Sequence, residues 1–306
     1  MRIVFAGTPN AAVPTLEGLA ASEHEIVAVI SREDAPQGRK RVLTPSPVSA
    51  RALELDLPLI RANRLDDAVT KQVADRQPDL GVIVAYGGLV REPLLSVPRM
   101  GWINLHFSQL PAWRGAAPVQ RAVLAGDTHT GIAVFQLEAG LDTGPTYVNR
   151  AVAIDADETA GELLERLAHE GVADVLATVN GLAAGTAVAT PQSGAPTHAE
   201  KLTVADGAID WSLPAAAVYS RIRGATPEPG AATVLDGARF KVHQVARLQT
   251  QPAEPLAPGQ VQLDQGRVVV GTGDDALELV RVQPAGKAAM NAGDWLRGRH
   301  GEVVLG

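Results

Sequence analysis

Three short apolar runs, Arg2–Ala6 (RIVFA), Glu25–Ile30 (EIVAVI) and Asp79–Ala85 (DLGVIVA), constrain the fold of this chain more than any other feature. Strands buried on both faces read as near-continuous apolar runs, the pattern of central strands in a parallel sheet. Helical spacing separates the runs. A turn at Gly7-Thr8-Pro9 opens a helix through about Ala21, and Val48–Asp56 and Leu65–Arg76 flank a short strand near Leu59. Strand–helix–strand alternation predicts right-handed crossovers and an α/β, Rossmann-like, mostly parallel sheet. The dinucleotide fingerprint is missing, because Gly7 has no second glycine two residues on, and this disfavours an NAD-dependent oxidoreductase.

The stretch Gly101–Asp142 carries the candidate chemistry. Trp102–Phe107 reads as another strand, on which Asn104 and His106, two residues apart, project from the same face. The chain breaks at Ser108–Pro111 and passes Trp113-Arg114-Gly115 into a helix near Ala116–Ala125. A strand at Thr130–Leu137 then leads to the loop Glu138–Gly144, which holds Asp142. A carboxamide, an imidazole and a loop carboxylate are the parts of a proton-transfer site with a carbonyl polariser. Taken singly, each has a plain structural reading: a satisfied polar pair on a strand, and a turn-forming Asp.

Together these motifs resemble the folate-dependent formyltransferases. The run NLHFSQLPAWRGAAPVQ, followed by GLDTG, is similar to that family's Asn-x-His, Ser-Leu-Leu-Pro and Leu-Asp-x-Gly signature. FAGTP, GRKRVLTPSPV, VIVAYGG, AEKLTVADGAIDW and LVRVQPAGKAAM extend the likeness over the full length, in the order of the branch that formylates methionyl-tRNA. The resemblance implies 10-formyltetrahydrofolate as formyl donor, without a metal, and initiator methionyl-tRNA as acceptor. It implies catalytic roles for Asn104, His106 and Asp142. It places the folate along Ser108, Gln109, Leu110 and Pro111 and beside Val84, Tyr86 and Gly87. It also brings the loop Ser31–Pro47 against the tRNA acceptor end, with Arg39, Lys40 and Arg41 as phosphate contacts. Read from composition alone, that loop is a solvated charged loop, and the Tyr86-Gly87-Gly88 glycines make a turn. Two departures stand out. Gln109 replaces the usual Leu, and EPGAAT follows RIRGATP where many relatives carry aromatic residues.

At 306 residues the chain predicts two domains. The expected division is residues 1–182 as the catalytic domain, 183–203 as a Gly-, Ala-, Thr- and Pro-rich linker, and 204–306 as a C-terminal domain. Thr146–Ile154 is a strand, and Glu158–Asn180 is amphipathic with an apolar core-facing stripe. After the linker, strands at Ala208–Trp211, Ala231–Val234, Arg239–Val245, Gly259–Leu263, Arg267–Gly271 and Leu277–Gln283, with a helix at Pro214–Arg223, suggest a small closed barrel. By resemblance this is an OB-like, tRNA-binding domain.

Zero cysteines exclude a disulfide scaffold and Cys-ligated zinc. The N-terminal apolar run is too short for a signal h-region or a membrane span, so a soluble cytoplasmic protein is expected. A monomer is the expected assembly, although no residue pattern decides it. A net charge of −7 opposes nucleic-acid binding by the overall field, which leaves that task to local basic clusters. Competing readings are a formyltransferase acting on glycinamide ribonucleotide or an amino sugar, and a non-catalytic RNA-binding module.

Overall fold

The computed structural model describes residues 1–38 and 40–306. Its compact units are interleaved along the chain. Unit 1 comprises Met1–Pro118, Thr130–Val152 and Leu164–Ala199, and unit 2 comprises Val119–His129, Ala153–Leu163 and Glu200–Gly306.

Unit 1 begins with β1 (Arg2–Gly7), α1 (Val13–Ala20) and β2 (Glu25–Ser31). The region read as a loop from Ser31 to Pro47 instead contains a small antiparallel hairpin, β3 (Ala35–Gln37) and β4 (Val42–Thr44). Its strands are three residues long and fully exposed, so no apolar alternation marked them. Next come α2 (Pro47–Glu54), β5 (Leu59–Arg61), α3 (Asp67–Ala74), β6 (Leu80–Val84), β7 (Trp102–His106) and the two-residue β8 (Arg114–Gly115). Ser46 and Asp66 cap α2 and α3, accepting from the main-chain N–H groups of Ser49 and Val69. Then follow, in chain order, α4 (Pro118–Ala125), which belongs to unit 2 from Val119 on, β9 (His129–Gln136), β10 (Thr146–Ala153), the 25-residue α5 (Ala160–Ala184), which belongs to unit 1 from Leu164 on, and β11 (His198–Ala199).

The main sheet has the order β10-β9-β7-β6-β1-β2-β5. The β5, β2, β1, β6 and β7 neighbours are parallel, and β9 joins β7 antiparallel. Crossover connections therefore deliver the carboxyl ends of β1, β6 and β7 side by side at one edge, where ligands of open α/β sheets bind. Gly81 interrupts the apolar run of β6 for a packing reason. It faces the fully buried Trp102 across the register, and a Cβ there would lie 2.1 Å from the indole ring.

In unit 2, the segment expected as a strand at Ala208–Trp211 makes only a single bridge, Ala208 to Ala232, after a 3-10 turn at Val204–Gly207. A capping box between Thr203 and Asp206 favours the turn there. The remaining elements are α6 (Ala215–Gly224), β12 (Ala232–Leu235), β13 (Ala238–Arg247), β14 (Gln260–Asp264), β15 (Arg267–Gly271), β16 (Ala276–Gln283), β17 (Met290–Asn291), α7 (Ala292–Arg297) and β18 (Val303–Val304). The antiparallel strands run β12-β13-β16-β15-β14-β18, and Gly306 N–H donates to the Val234 carbonyl of β12 at 3.0 Å. That bond nearly closes the sheet into a barrel around Val242, Phe240, Leu277, Leu279 and Trp295. No described helix is long and apolar enough to cross a membrane.

Replacing Gly81 by Ala forces its methyl into the Trp102 ring and costs about 1–3 kcal/mol, the usual range for overpacking. Urea denaturation of Gly81→Ala checks this, and a midpoint equal to wild type refutes it.

Candidate active site

β7 ends in the two polar residues that its apolar neighbours isolate. Ile103 and Leu105 are buried on one alternation of the strand, and Asn104 and His106 share the other with the buried Trp102. His106 is 5% exposed, with its ring edge-on to Phe135 of β9 at 6.3 Å between centroids. Its Nε2 lies 3.0 Å from the carbonyl of Trp113. A carbonyl only accepts, so Nε2 carries the proton and Nδ1 is the bare nitrogen of the neutral ring. Nδ1 faces Asp142 Oδ2 at 3.8 Å. That separation is too long for a hydrogen bond, but close enough for a full Coulomb interaction once Nδ1 is protonated.

Asp142 is 7% exposed and sits at φ +51°, a left-handed conformation that non-glycine residues seldom adopt. Its Oδ2 accepts from Gly115 N–H at 2.7 Å. Gly115 is required there, since its φ is +126° and a Cβ would lie 2.7 Å from the Ala199 carbonyl oxygen. Asn104 completes the group. Its Oδ1 is buried with no hydrogen-bond partner among the described residues. An unpaired buried amide oxygen costs about 1–3 kcal/mol, which a ligand donor at this position would recover. Rotating the amide presents its NH2 to the same place.

Burial pushes the His106 imidazole below its ordinary 6.5, against the opposing pull of the Asp142 carboxylate and the Trp113 carbonyl. Desolvation wins because the whole ring is enclosed.

The other sequence-predicted residues fall into three groups. In the Ser108–Pro111 turn, Ser108 Oγ donates to the Ala112 carbonyl at 2.6 Å, Leu110 packs against Ala133 and Phe135, and Gln109 is exposed. At the end of β6, Val84 and Tyr86 are buried, and the Tyr86 hydroxyl donates to Ala62 O at 2.7 Å, so its ring is a core element. The Tyr86 carbonyl accepts from Thr8 Oγ1 at 2.9 Å, and the Gly87 carbonyl accepts from the Arg32 guanidinium. Lys40 and Arg41 are exposed at the tip of the β3–β4 hairpin, without a carboxylate partner among the described residues. Arg39 lies outside the described residues.

Sequence reasoning missed the Trp113 carbonyl and the Gly115 N–H. Both are main-chain groups, which a side-chain motif search cannot see. It also missed the segment after α5. Instead of an unstructured linker, residues 190–199 are ordered against unit 1, with Thr190 bridging Thr146 and β11 pairing in parallel with β8.

The Asn-x-His strand end thus brings a carboxamide, an imidazole and a buried loop carboxylate together at the carboxyl edge of a mostly parallel sheet, the groups that proton transfer beside a carbonyl would use. The chain belongs to the formyl transferase family, whose model matches residues 1–179, and the family's C-terminal domain matches residues 201–300. It is 58% identical to the methionyl-tRNA formyltransferase of Clavibacter sepedonicus over 97% of each chain, and 58% identical to that of Leifsonia xyli over 100% of each. Among solved structures, it superposes on the methionyl-tRNA formyltransferase of Clostridium thermocellum with TM-score 0.59 at 15% identity, covering 94% of this chain and 100% of that one. An N-formyltransferase from Helicobacter canadensis, bound to folinic acid and dTDP-3-aminofucose, superposes with TM-score 0.67 at 15% identity, covering 92% and 98%.

The unfolded chain takes up its His106 proton near pH 6.5 and the folded chain only at lower pH. The neutral ring's contribution to stability is therefore complete above about pH 6.5 and is lost as pH falls below it. In NMR titrations the folded ring titrates below 6.5, and Asp142→Asn, which removes the opposing charge, lowers it further; an upward move refutes this account.

Proposed function

We propose that this protein transfers the formyl group of 10-formyltetrahydrofolate to the free α-amine of initiator methionyl-tRNA. The convergence of Asn104, His106 and Asp142 supports the chemistry. Relatives of near-equal length at up to 58% identity, all methionyl-tRNA formyltransferases, support the acceptor. The observation that carries the reading is the Asn104 Oδ1, buried without a hydrogen-bond partner among the described residues, two residues from His106 at the strand end.

In this mechanism the amine attacks the formyl carbon, one amine proton leaves, and the bond to N10 of the folate breaks as N10 gains a proton. Asn104 donates its NH2 to the oxygen that becomes anionic, and losing such a donor costs about 10²–10³ in rate. His106 is neutral at pH 7, so its bare Nδ1 accepts the amine proton. The imidazolium formed is stabilised by Asp142 on one side and by the Trp113 carbonyl on the other. Positioned acid–base catalysis of this kind is worth about 10²–10⁴. The folate lies along the Ser108–Pro111 turn and the Val84–Gly87 backbone. Arg39, Lys40 and Arg41 meet acceptor-stem phosphates, because Lys and Arg donors neutralise a charged backbone. The protein works in the cytoplasm as a monomer.

The acceptor assignment is tested by supplying labelled 10-formyltetrahydrofolate with methionyl-tRNA, glycinamide ribonucleotide and an amino sugar side by side. Label is expected on methionyl-tRNA, and preference for either small acceptor overturns it. Asn104→Ala, His106→Ala and Asp142→Ala should each lose at least about 10²-fold in kcat with folate affinity retained. An Asp142 variant at full speed removes that residue from the site. Arg39→Ala should raise KM for tRNA at low salt and converge on wild type at high salt, with folate binding unchanged.

A further inference from the structure

The reacting pair is held from outside by one stretch of chain. We propose that residues 190–199 form a positioning strap, in which Gln192 and Thr197 set the His106–Asp142 geometry from opposite sides. This inference rests on the roles assigned above to His106 and Asp142.

Gln192 is fully committed. Its Nε2 donates to the Asp142 carbonyl and to the Gly144 carbonyl, both at 2.8 Å. Its Oε1 accepts from Arg114 Nε at 3.2 Å and Nη2 at 2.6 Å. All four contacts reverse sign if the amide is turned over, so its orientation is fixed. Arg114 thus aims Gln192, and Gln192 clamps the two carbonyls of the loop that holds Asp142 at φ +51°. The neighbouring Gly115 N–H fixes the carboxylate itself.

Thr197 acts on the other partner. Its Oγ1 accepts from Trp113 N–H at 2.8 Å, its carbonyl accepts from Arg114 N–H at 2.9 Å, and its own N–H donates to the Pro111 carbonyl at 3.2 Å. Trp113, at φ +58°, supplies the carbonyl that His106 Nε2 reaches. Turning that peptide by a fraction of an ångström moves the imidazole.

Attachment of the strap does not need these two side chains. Main-chain bonds between Thr190 and Thr146, and from Ala116 and Ala117 N–H to the Ala199 carbonyl, already hold it. What the side chains add lands on the peptides that carry the reacting groups. Gln192 and Thr197 are therefore positioning residues, and their loss should appear in kcat.

The test uses Gln192→Glu, which is isosteric but sets a carboxylate oxygen against two carbonyls, together with Thr197→Val and its conservative control Thr197→Ser. Gln192→Glu and Thr197→Val are expected to lower kcat by about 10-fold or more, with KM for folate and methionyl-tRNA within about 2-fold of wild type. Gln192→Glu should also displace the acidic limb of the pH–rate profile, and Thr197→Ser should restore activity. In a double-mutant cycle, Gln192→Glu should cost little further in an Asp142→Asn background, because it acts through that residue. Full additivity, or a KM effect with unchanged kcat and pH profile, overturns the strap. If Asp142→Asn is itself fully active, the catalytic reading has failed, and the strap with it. If Asp142→Asn is slow while Gln192→Glu and Thr197→Val run at wild-type speed, only the strap has failed.

Discussion

The hydrogen bond from His106 Nε2 to the Trp113 carbonyl decides which ring nitrogen can exchange a proton. A carbonyl cannot give a proton, so this 3.0 Å contact commits one ring nitrogen as a donor and leaves Nδ1 as the only route for a proton to enter or leave. That route opens toward Asp142. With the ring almost wholly buried, water contributes little to stabilising an imidazolium, and the carboxylate at 3.8 Å becomes the main compensation for its charge. A neutral resting ring and a poised counter-charge suit a base that must take a proton briefly and then surrender it.

Much of this was legible in the residues. The runs IVFA, IVAVI and LGVIVA fixed the parallel strands because both of their faces are covered. The spacing of Asn104 and His106 placed both on one face of a strand end, and the Gly-rich loop around Asp142 was placed correctly as a loop. Other features left no trace in side-chain patterning. The β3–β4 hairpin is exposed on all sides, so burial never selected an alternating pattern. Residues 190–199 lack periodicity because they bind through individual hydrogen bonds, and a Gly-, Thr- and Pro-rich segment reads the same whether pinned or free. Tyr86 was expected beside the folate along the Val84–Gly88 backbone, and that its hydroxyl is tied to Ala62 and its ring fills the core could not be read from the sequence.

The charge problem posed by a net −7 has a local aspect. Salt screens exposed charges beyond about 8–10 Å, so a polyanion close to the surface senses the nearest side chains far more than the total. Lys40 and Arg41, at a hairpin tip with no acidic partner among the described residues, are available in that sense. Many of the other arginines are already neutralised, among them Arg2 with Glu25, Arg61 with Asp34, Arg121 with Asp206 and Arg150 with Asp174.

The interleaving of unit 2 bears on how the chain matures. Two short excursions, Val119–His129 and Ala153–Leu163, belong with strands and helices that begin only after Glu200. During synthesis from the N-terminus they emerge many seconds before their companions, at roughly 5–20 residues per second. The α6 groups that bond the second excursion, the Tyr219 hydroxyl to Asp157 and the Arg223 guanidinium to the Asp155 carbonyl, arrive only later. A fragment cut near residue 200 separates Asp157 from the Tyr219 hydroxyl and Gly161 N–H from the Thr226 carbonyl, so each piece lacks partners that the other supplies.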